Sequence, residues 1–237
     1  MSFSYLYNKK VLITAGPTRE AIDPVRYISN HSSGKMGYAL AESFLAHGAQ
    51  VYLVTGPVNI PLPTHTRLSI IPVNSASEMY LACCRFFEEA DIAVFAAAVA
   101  DYRPERIAEQ KIKKDENNFT LKMVKNIDIA FEFGKIKNDK QLSVGFALET
   151  NDEKKNAVGK LSRKNFDMVV LNSMNDSNAT FGYDTNKVSI IHKDFQRTDY
   201  RLKNKIEVAA DIVSEIEGLI KRSGLFFSRQ TARQVIV

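Results

Sequence analysis

Short β-branched runs alternating with helical periods constrain this chain more than any other feature. The alternation commits it to βα units, and hence to a parallel sheet covered on both faces. Val11-Leu-Ile-Thr14, Gln50-Val-Tyr-Leu-Val54, Ser69-Ile-Ile-Pro-Val73 and Asp91-Ile-Ala-Val-Phe95 are the first four strands. Pro72 places the third at a strand end or a sheet edge. A helix is predicted from Lys35 to about His47, with Ala39, Leu40, Phe44 and Leu45 inward and Gly48 as its stop. The capping box Ser75-Ala-Ser-Glu78 opens another that runs to Glu89. A strand at 142–147, a second capping box Thr150-Asn-Asp-Glu153, a basic helix to about Arg163 and a strand Met168–Leu171 carry the sheet past the middle.

Two parts break this rhythm. Glu109–Asn118 is charged and turn-rich, and Phe119, Leu121 and Met123 then alternate as in a half-exposed strand, so residues around 103–125 read as a flap or hairpin. After the Asn- and Asp-rich loop 172–186 come a strand, Lys187–Ile191, and a helix over 205–221 with Ile206, Ala209, Val213, Ile216 and Ile220 on one face. With 45% hydrophobic residues, the 237-residue chain can bury one substantial core, so residues 1–221 read as a single domain and 222–237 as a tail of unassigned role. A net charge of +5 suits an anionic small substrate, and the lack of a dense basic stripe with interleaved aromatics argues against nucleic acid. The longest apolar run, Ile92–Ala100, is too short to span a membrane. Cys83 and Cys84 are adjacent, which suits neither a structural disulfide nor a C-x-x-C pair; they read as two buried small apolar residues in a cytoplasmic protein.

The chemistry begins at Arg26–Gly37. Here a helix opens with Ser32, Ser33, Gly34, Lys35 and Gly37, so that exposed N–H groups, the helix dipole and a lysine all favour an anion. The glycine spacing is not that of a dinucleotide fingerprint, and the second strand ends Val54-Thr55-Gly56 rather than in a ribose-binding acid. Ala97-Ala-Val-Ala-Asp101 follows a buried strand at its carboxyl end, where small side chains either leave room for a ligand or simply pack tightly with Asp101 as a cap. Lys111-Ile-Lys-Lys114 is either a solvated charge run or a mobile loop delivering ammonium groups to a phosphate. Lys160 and Lys164 stack four apart on one helical face beside Arg163, a repulsion that a bound polyanion or an acid such as Glu153 would relieve. His31 pairs with no carboxylate by any pattern and reads as a shaper of its loop rather than a base. No protein nucleophile is evident, which suits a reaction in which both nucleophiles are substrates.

Ile13–Glu20, Asp23–Gly37, Ala97–Tyr102, Lys111–Lys114, Met123-Val-Lys-Asn126 and Gly145–Thr150, in this order, resemble bacterial phosphopantothenate–cysteine ligase, also called phosphopantothenoylcysteine synthetase, the synthetase part of the bifunctional flavoprotein of coenzyme A biosynthesis. The resemblance implies an α/β fold, a Rossmann-like three-layer sandwich with a mostly parallel sheet and a small flap extension. It implies activation of the 4′-phosphopantothenate carboxylate by CTP to an acyl-cytidylate with release of pyrophosphate, then attack by the amine of cysteine with release of CMP. It makes Asn30 and Lys111 catalytic, in the second and first steps respectively. It gives the nucleotide Ala96, Ala97, Asp101, Lys111, Ile127, Asp128, Ile129, Ala130, Phe146, Lys160 and Lys164, and places Arg26, Asn30 and Ala98 at the acyl site. Magnesium accompanies CTP, and the family is dimeric. Since strand one starts within the first dozen residues, the family's flavin-dependent decarboxylase activity is expected to be absent from this polypeptide, with no flavin here and a separate decarboxylase as a candidate partner. The competing readings are an NAD(P)-dependent oxidoreductase and a non-catalytic nucleotide-binding domain.

Overall fold

The computed structural model describes residues 4–113, 119–149, 151–173 and 183–224. Eight strands form the central sheet: β1 (Lys10–Ala15), β2 (Gln50–Thr55), β3 (Leu68–Pro72), β4 (Ile92–Phe95), β5 (Leu142–Glu149), β6 (Met168–Ser173), β7 (Val188–His192) and β8 (Arg197–Asp199). Their spatial order is β8-β7-β6-β5-β4-β1-β2-β3. The six strands from β3 to β6 are parallel and run 3-2-1-4-5-6; β7 and β8 are added antiparallel at one edge. The strand order reverses between β1 and β4, and the crevice beyond their carboxyl ends is where such sheets bind ligands. β3 is the opposite edge, as Pro72 requires.

Helices α1 (Lys35–Ala46), α2 (Ala76–Phe87), α3 (Ile129–Ile136), α4 (Glu153–Arg163) and α5 (Lys205–Ser223) cover both faces. Alternation along β1 divides the core. Val11 and Ile13 pack with Leu40 and Phe44 of α1 and Ile212 and Ile216 of α5, while Leu12 faces Met79 of α2, Phe133 of α3 and Leu161 of α4. The mostly parallel three-layer α/β sandwich is therefore present.

The departures are local. Ile206 is 69% exposed. It shares an angular position with Val213, but lies in the first turn of α5. Val208 and Ile212 fill the inward face instead. Cys84 is exposed and only Cys83 is buried, because successive helical residues point about 100° apart. Thr150, the first residue of the second predicted capping box, lies outside the described residues; α4 starts after Asp152, which takes a left-handed φ of 47° and makes no side-chain cap hydrogen bond. The half-exposed strand is confined to Met123–Lys125, antiparallel to Tyr102–Pro104, and Phe119 is exposed outside it. Lys114, much of the loop 172–186 and the tail from 225 lie outside the described residues.

Candidate functional site

Beyond the sheet, the chain leaving β1 and the chain leaving β4 stay zipped together. Ala96 N–H donates to the Thr14 carbonyl at 3.1 Å, Ala98 N–H to that of Gly16 at 2.9 Å, and Thr18 N–H back to that of Ala98 at 3.3 Å. Ala100 N–H is held by the Thr18 hydroxyl at 2.9 Å. Gly16, at φ 71°, makes the turn possible, and the carbonyl of Pro17 then packs so closely on Gly56 that a Cβ there would lie 1.7 Å away. The alanine run is thus a rigid ledge whose small side chains leave both flanks open.

One flank is a cationic pocket. It is lined by the ledge Ala97–Asp101, by Asn126–Ala130, by Phe146 and Leu148, and by Lys160 of α4 with Lys164 at the helix C-cap. Asn126 ties its own segment to the ledge, donating from its side chain to the Ala100 carbonyl at 2.8 Å and from its backbone to that of Asp101 at 2.8 Å. Asp128 caps α3 by accepting from Phe131 N–H. The repulsion between the two lysines is relieved by Glu149, 2.7 Å from Lys160, and Asp128, 2.8 Å from Lys164. Those acids, rather than Glu153, are the ones placed to do so.

The other flank is the α1 pocket. Ser32–Gly37, Ala96–Ala98, Phe146–Leu148, Asn172, Asn186 and Lys205 line it. Gly34 caps α1 in a left-handed conformation, φ 76°, with no side-chain hydrogen bond to the first turn. The first-turn N–H groups are consequently the unpaired donors that such a helix end presents to an anion. Lys35 is paired with Asp184 at 2.5 Å, which lowers the Asp184 pKa. Lys205 donates to the Tyr183 carbonyl. Burial, and then the charge of Lys35, pull its pKa below the ordinary lysine value. Beside it, Asn172 donates to the Asn186 carbonyl oxygen at 2.8 Å and keeps its own Oδ1 buried without a partner.

The two pockets share Ala97, Ala98, Phe146 and Leu148. Of the residues predicted from sequence, Ala96, Ala97, Ala98, Asp101, Ile127–Ala130, Phe146, Lys160, Lys164 and the α1 start converge here. Asn30, Arg26 and Lys111 do not line either pocket. The Asn30 amide donates to the carbonyls of Ala98 and Val99 at 3.0 and 3.2 Å, bracing the shared ledge from behind. Arg26 is paired with Asp23, and Lys111 is exposed on the adjoining loop. Sequence reasoning missed Thr14, Asn126, Leu148, Asn172, Asn186 and Lys205. Thr14, Asn126 and Leu148 lie inside motifs already singled out, and Lys205 carried a signal of its own, since a lysine at the first position of a helix opposes its dipole. Among the described residues no group of three or more His, Cys, Asp or Glu could hold a metal ion.

Comparison with known proteins adds three findings. The family model described as the DNA/pantothenate metabolism flavoprotein C-terminal domain matches residues 6–219. Among curated relatives, a cysteine/cysteine sulfinic acid decarboxylase from an unknown prokaryotic organism is 50% identical over 91% of this chain and 60% of its own length. The coenzyme A biosynthesis bifunctional protein CoaBC of Bacillus subtilis (strain 168) is 43% identical over 92% of this chain and 53% of its own. The chain thus spans between half and two thirds of the length of these relatives. Among solved structures, the C-terminal domain of a CoaBC aligns with a TM-score of 0.77 at 38% identity, covering 92% of this chain and 100% of that one. A Cab2 mutant in complex with phosphopantothenate-cysteine shares the fold, at a TM-score of 0.73 and 18% identity over 92% of this chain and 89% of that one.

Proposed function

Because the chain belongs to the family of the DNA/pantothenate metabolism flavoprotein C-terminal domain, we propose that it is a CTP-dependent phosphopantothenate–cysteine ligase. The observation that carries this reading is the pair of pockets sharing one ledge: a lysine-lined one for a triphosphate and a helix-start one for a second anion. The nucleotide occupies the first, its phosphates meeting Lys160 and Lys164 in place of Glu149 and Asp128. The phosphate of 4′-phosphopantothenate occupies the second, between the α1 N–H groups and Lys205. Its carboxylate then reaches the α-phosphorus across Ala97 and Ala98, displacing pyrophosphate, whose charge a magnesium ion carried by the nucleotide would help to neutralise. The cysteine amine next attacks the acyl carbon, CMP leaves, and the amine proton passes to solvent. With Lys111 closing over the transferred group, the protein supplies orientation and charge stabilisation rather than a nucleophile.

An exposed apolar set on the hairpin and flap, comprising Val25, Tyr27, Tyr102, Ile107 and Phe119, supports a homodimer formed on this side. Among the described residues no helix is long and apolar enough to cross a membrane, which is compatible with a reaction in the cytoplasm.

The test supplies 4′-phosphopantothenate, cysteine and magnesium with each nucleoside triphosphate in turn, and measures pyrophosphate and amide. Both products with CTP are expected. CTP binding without pyrophosphate would leave a non-catalytic binding domain, and carbon dioxide from cysteine would favour the activity named for the 50% identical relative.

A further inference from the structure

The Asp23–Arg26 pair lines neither pocket, yet a whole stretch of chain hangs on it. The Asp23 side chain is fully buried. Its Oδ1 accepts from the backbone N–H groups of Val25 at 2.9 Å and Arg26 at 2.8 Å. Its Oδ2 accepts from Arg26 Nε at 3.0 Å, from Arg26 Nη2, and from the backbone N–H of Ile112 at 3.2 Å. Arg26 Nη2 reaches further, donating to the Ile112 carbonyl at 3.1 Å. Both backbone groups of Ile112 therefore end on one ion pair from a distant part of the sequence. A second tie, Ala108 N–H to the Ile22 carbonyl at 3.0 Å, fixes the start of the same segment.

Burying a carboxylate is costly unless its lone pairs are filled, and here they are filled by donors from two separate segments. The segment so held, 105–113, has no helix or strand of its own. Fixing such backbone costs about 1–2 kcal/mol per residue in conformational entropy, so it needs specific partners to keep one shape. Lys111 is the residue next to Ile112. The hairpin that carries the ion pair, Arg19–Ala21 with Tyr27–Ser29, runs directly into Asn30, which is bonded to the shared ledge. One end of this hairpin thus grips the lysine loop and the other grips the wall between the pockets.

We propose that Asp23 is a positioning residue of the ligase reaction: through Arg26 and the backbone of Ile112 it sets the reach of Lys111 toward the nucleotide. The inference rests on the ligase reading of the site. It places the effect of Asp23 on the first half-reaction and on kcat, because Lys160 and Lys164, which hold the nucleotide, are carried by a different element.

The test is a double-mutant cycle on radiolabelled pyrophosphate release, with CTP, 4′-phosphopantothenate and magnesium. Asp23→Asn is measured alone and combined with Lys111→Gln, using the full chain. Alone it is expected to lower kcat by about tenfold or more, with the KM for CTP unchanged. Combined, it is expected to add nothing to the loss caused by Lys111→Gln. Multiplying losses would mean that Asp23 acts independently of Lys111, and would overturn the proposal. Arg26→Lys keeps the charge but not the fork to Ile112, and carries the same cycle if Asp23→Asn does not fold. Amide hydrogen exchange at Ile112 reads the clip without turnover: slow in the wild type and faster in either variant is expected, and fast exchange in the wild type refutes it. A wild type that releases no pyrophosphate with CTP defeats the ligase reading, while the exchange result still decides the clip.

Discussion

Gly37 sets how closely α1 approaches the central strand, and replacing it by alanine separates packing from propensity. A Cβ at Gly37 would lie 2.5 Å from the Cβ of Ala15 and 3.2 Å from its Cα. Carbon atoms rest at about 3.5–4.0 Å, so the helix start must retreat by about 1 Å from a strand that is itself pinned between β2 and β4. Overpacking of this kind costs about 1–3 kcal/mol. Replacing a helical glycine returns about 0.5–1 kcal/mol of that. Gly37→Ala is therefore expected to lose no more than about 2.5 kcal/mol of stability. The retreat also carries the first-turn N–H groups away from the ledge, and a misplacement of about 1 Å can cost about 100-fold in turnover. Gly159, on α4, is the control: a Cβ there meets nothing within 4 Å. Gly159→Ala should gain about 0.5–1 kcal/mol and leave kcat/KM for the acid unchanged. Thermal unfolding and pyrophosphate release at varied 4′-phosphopantothenate read both quantities. A Gly37→Ala protein with wild-type kcat/KM for that acid would refute the assignment of the α1 start to its phosphate.

Three further outcomes are expected. Asn30→Asp should still form acyl-cytidylate but stall at the amide, while Lys111→Gln should lose pyrophosphate release; equal loss of both half-reactions in both variants would dissolve that division. Lys160→Gln removes one charge-assisted contact, worth about 1.5–3 kcal/mol, and should raise the KM for CTP at least tenfold with kcat little changed, whereas a fall in kcat alone would move Lys160 away from ground-state binding. The Arg26 guanidinium, aided by backbone N–H groups, holds the Asp23 carboxyl well below the usual carboxylate range. Asp23 accordingly contributes stability that is complete above the unfolded value near 4 and is lost as pH falls toward the folded value. Denaturant titrations between about pH 5 and pH 2 should show a shallower acid loss in Asp23→Asn, and parallel curves would contradict this.

The framework was legible because strands and helices announce themselves by period. Seven of the eight sheet strands were readable as apolar, mostly β-branched runs bounded by turn residues, the edge strand Arg197–Asp199 being the exception, and Ala39, Leu40, Phe44 and Leu45 are buried as their spacing requires. Boundaries and local contacts were less so. Nothing in a one-dimensional pattern says that Ile206 is exposed in the first turn of α5, or that Lys160 finds Glu149. The site divides in the same way. Ala97–Asp101 and the α1 start are contiguous motifs placed by the strand-end rule, and they were readable. Asn172, Asn186 and Lys205 come together only through the antiparallel return of β7 and the docking of α5, a tertiary event without a local signature. Asn30 and Lys111 lie in motifs that resemble a family's, but their tie through Ile112, Arg26 and Asp23 is visible only in three dimensions.

Lys205 stands at the amino end of α5, where the helix field repels it, partly dehydrated and facing a second lysine. A chain selected solely for endurance would discard such a residue. Libraries screened for heat tolerance should therefore drift toward neutral side chains at this position and yield sturdier proteins that have forgotten their substrate, so any campaign to harden this scaffold has to score turnover alongside survival.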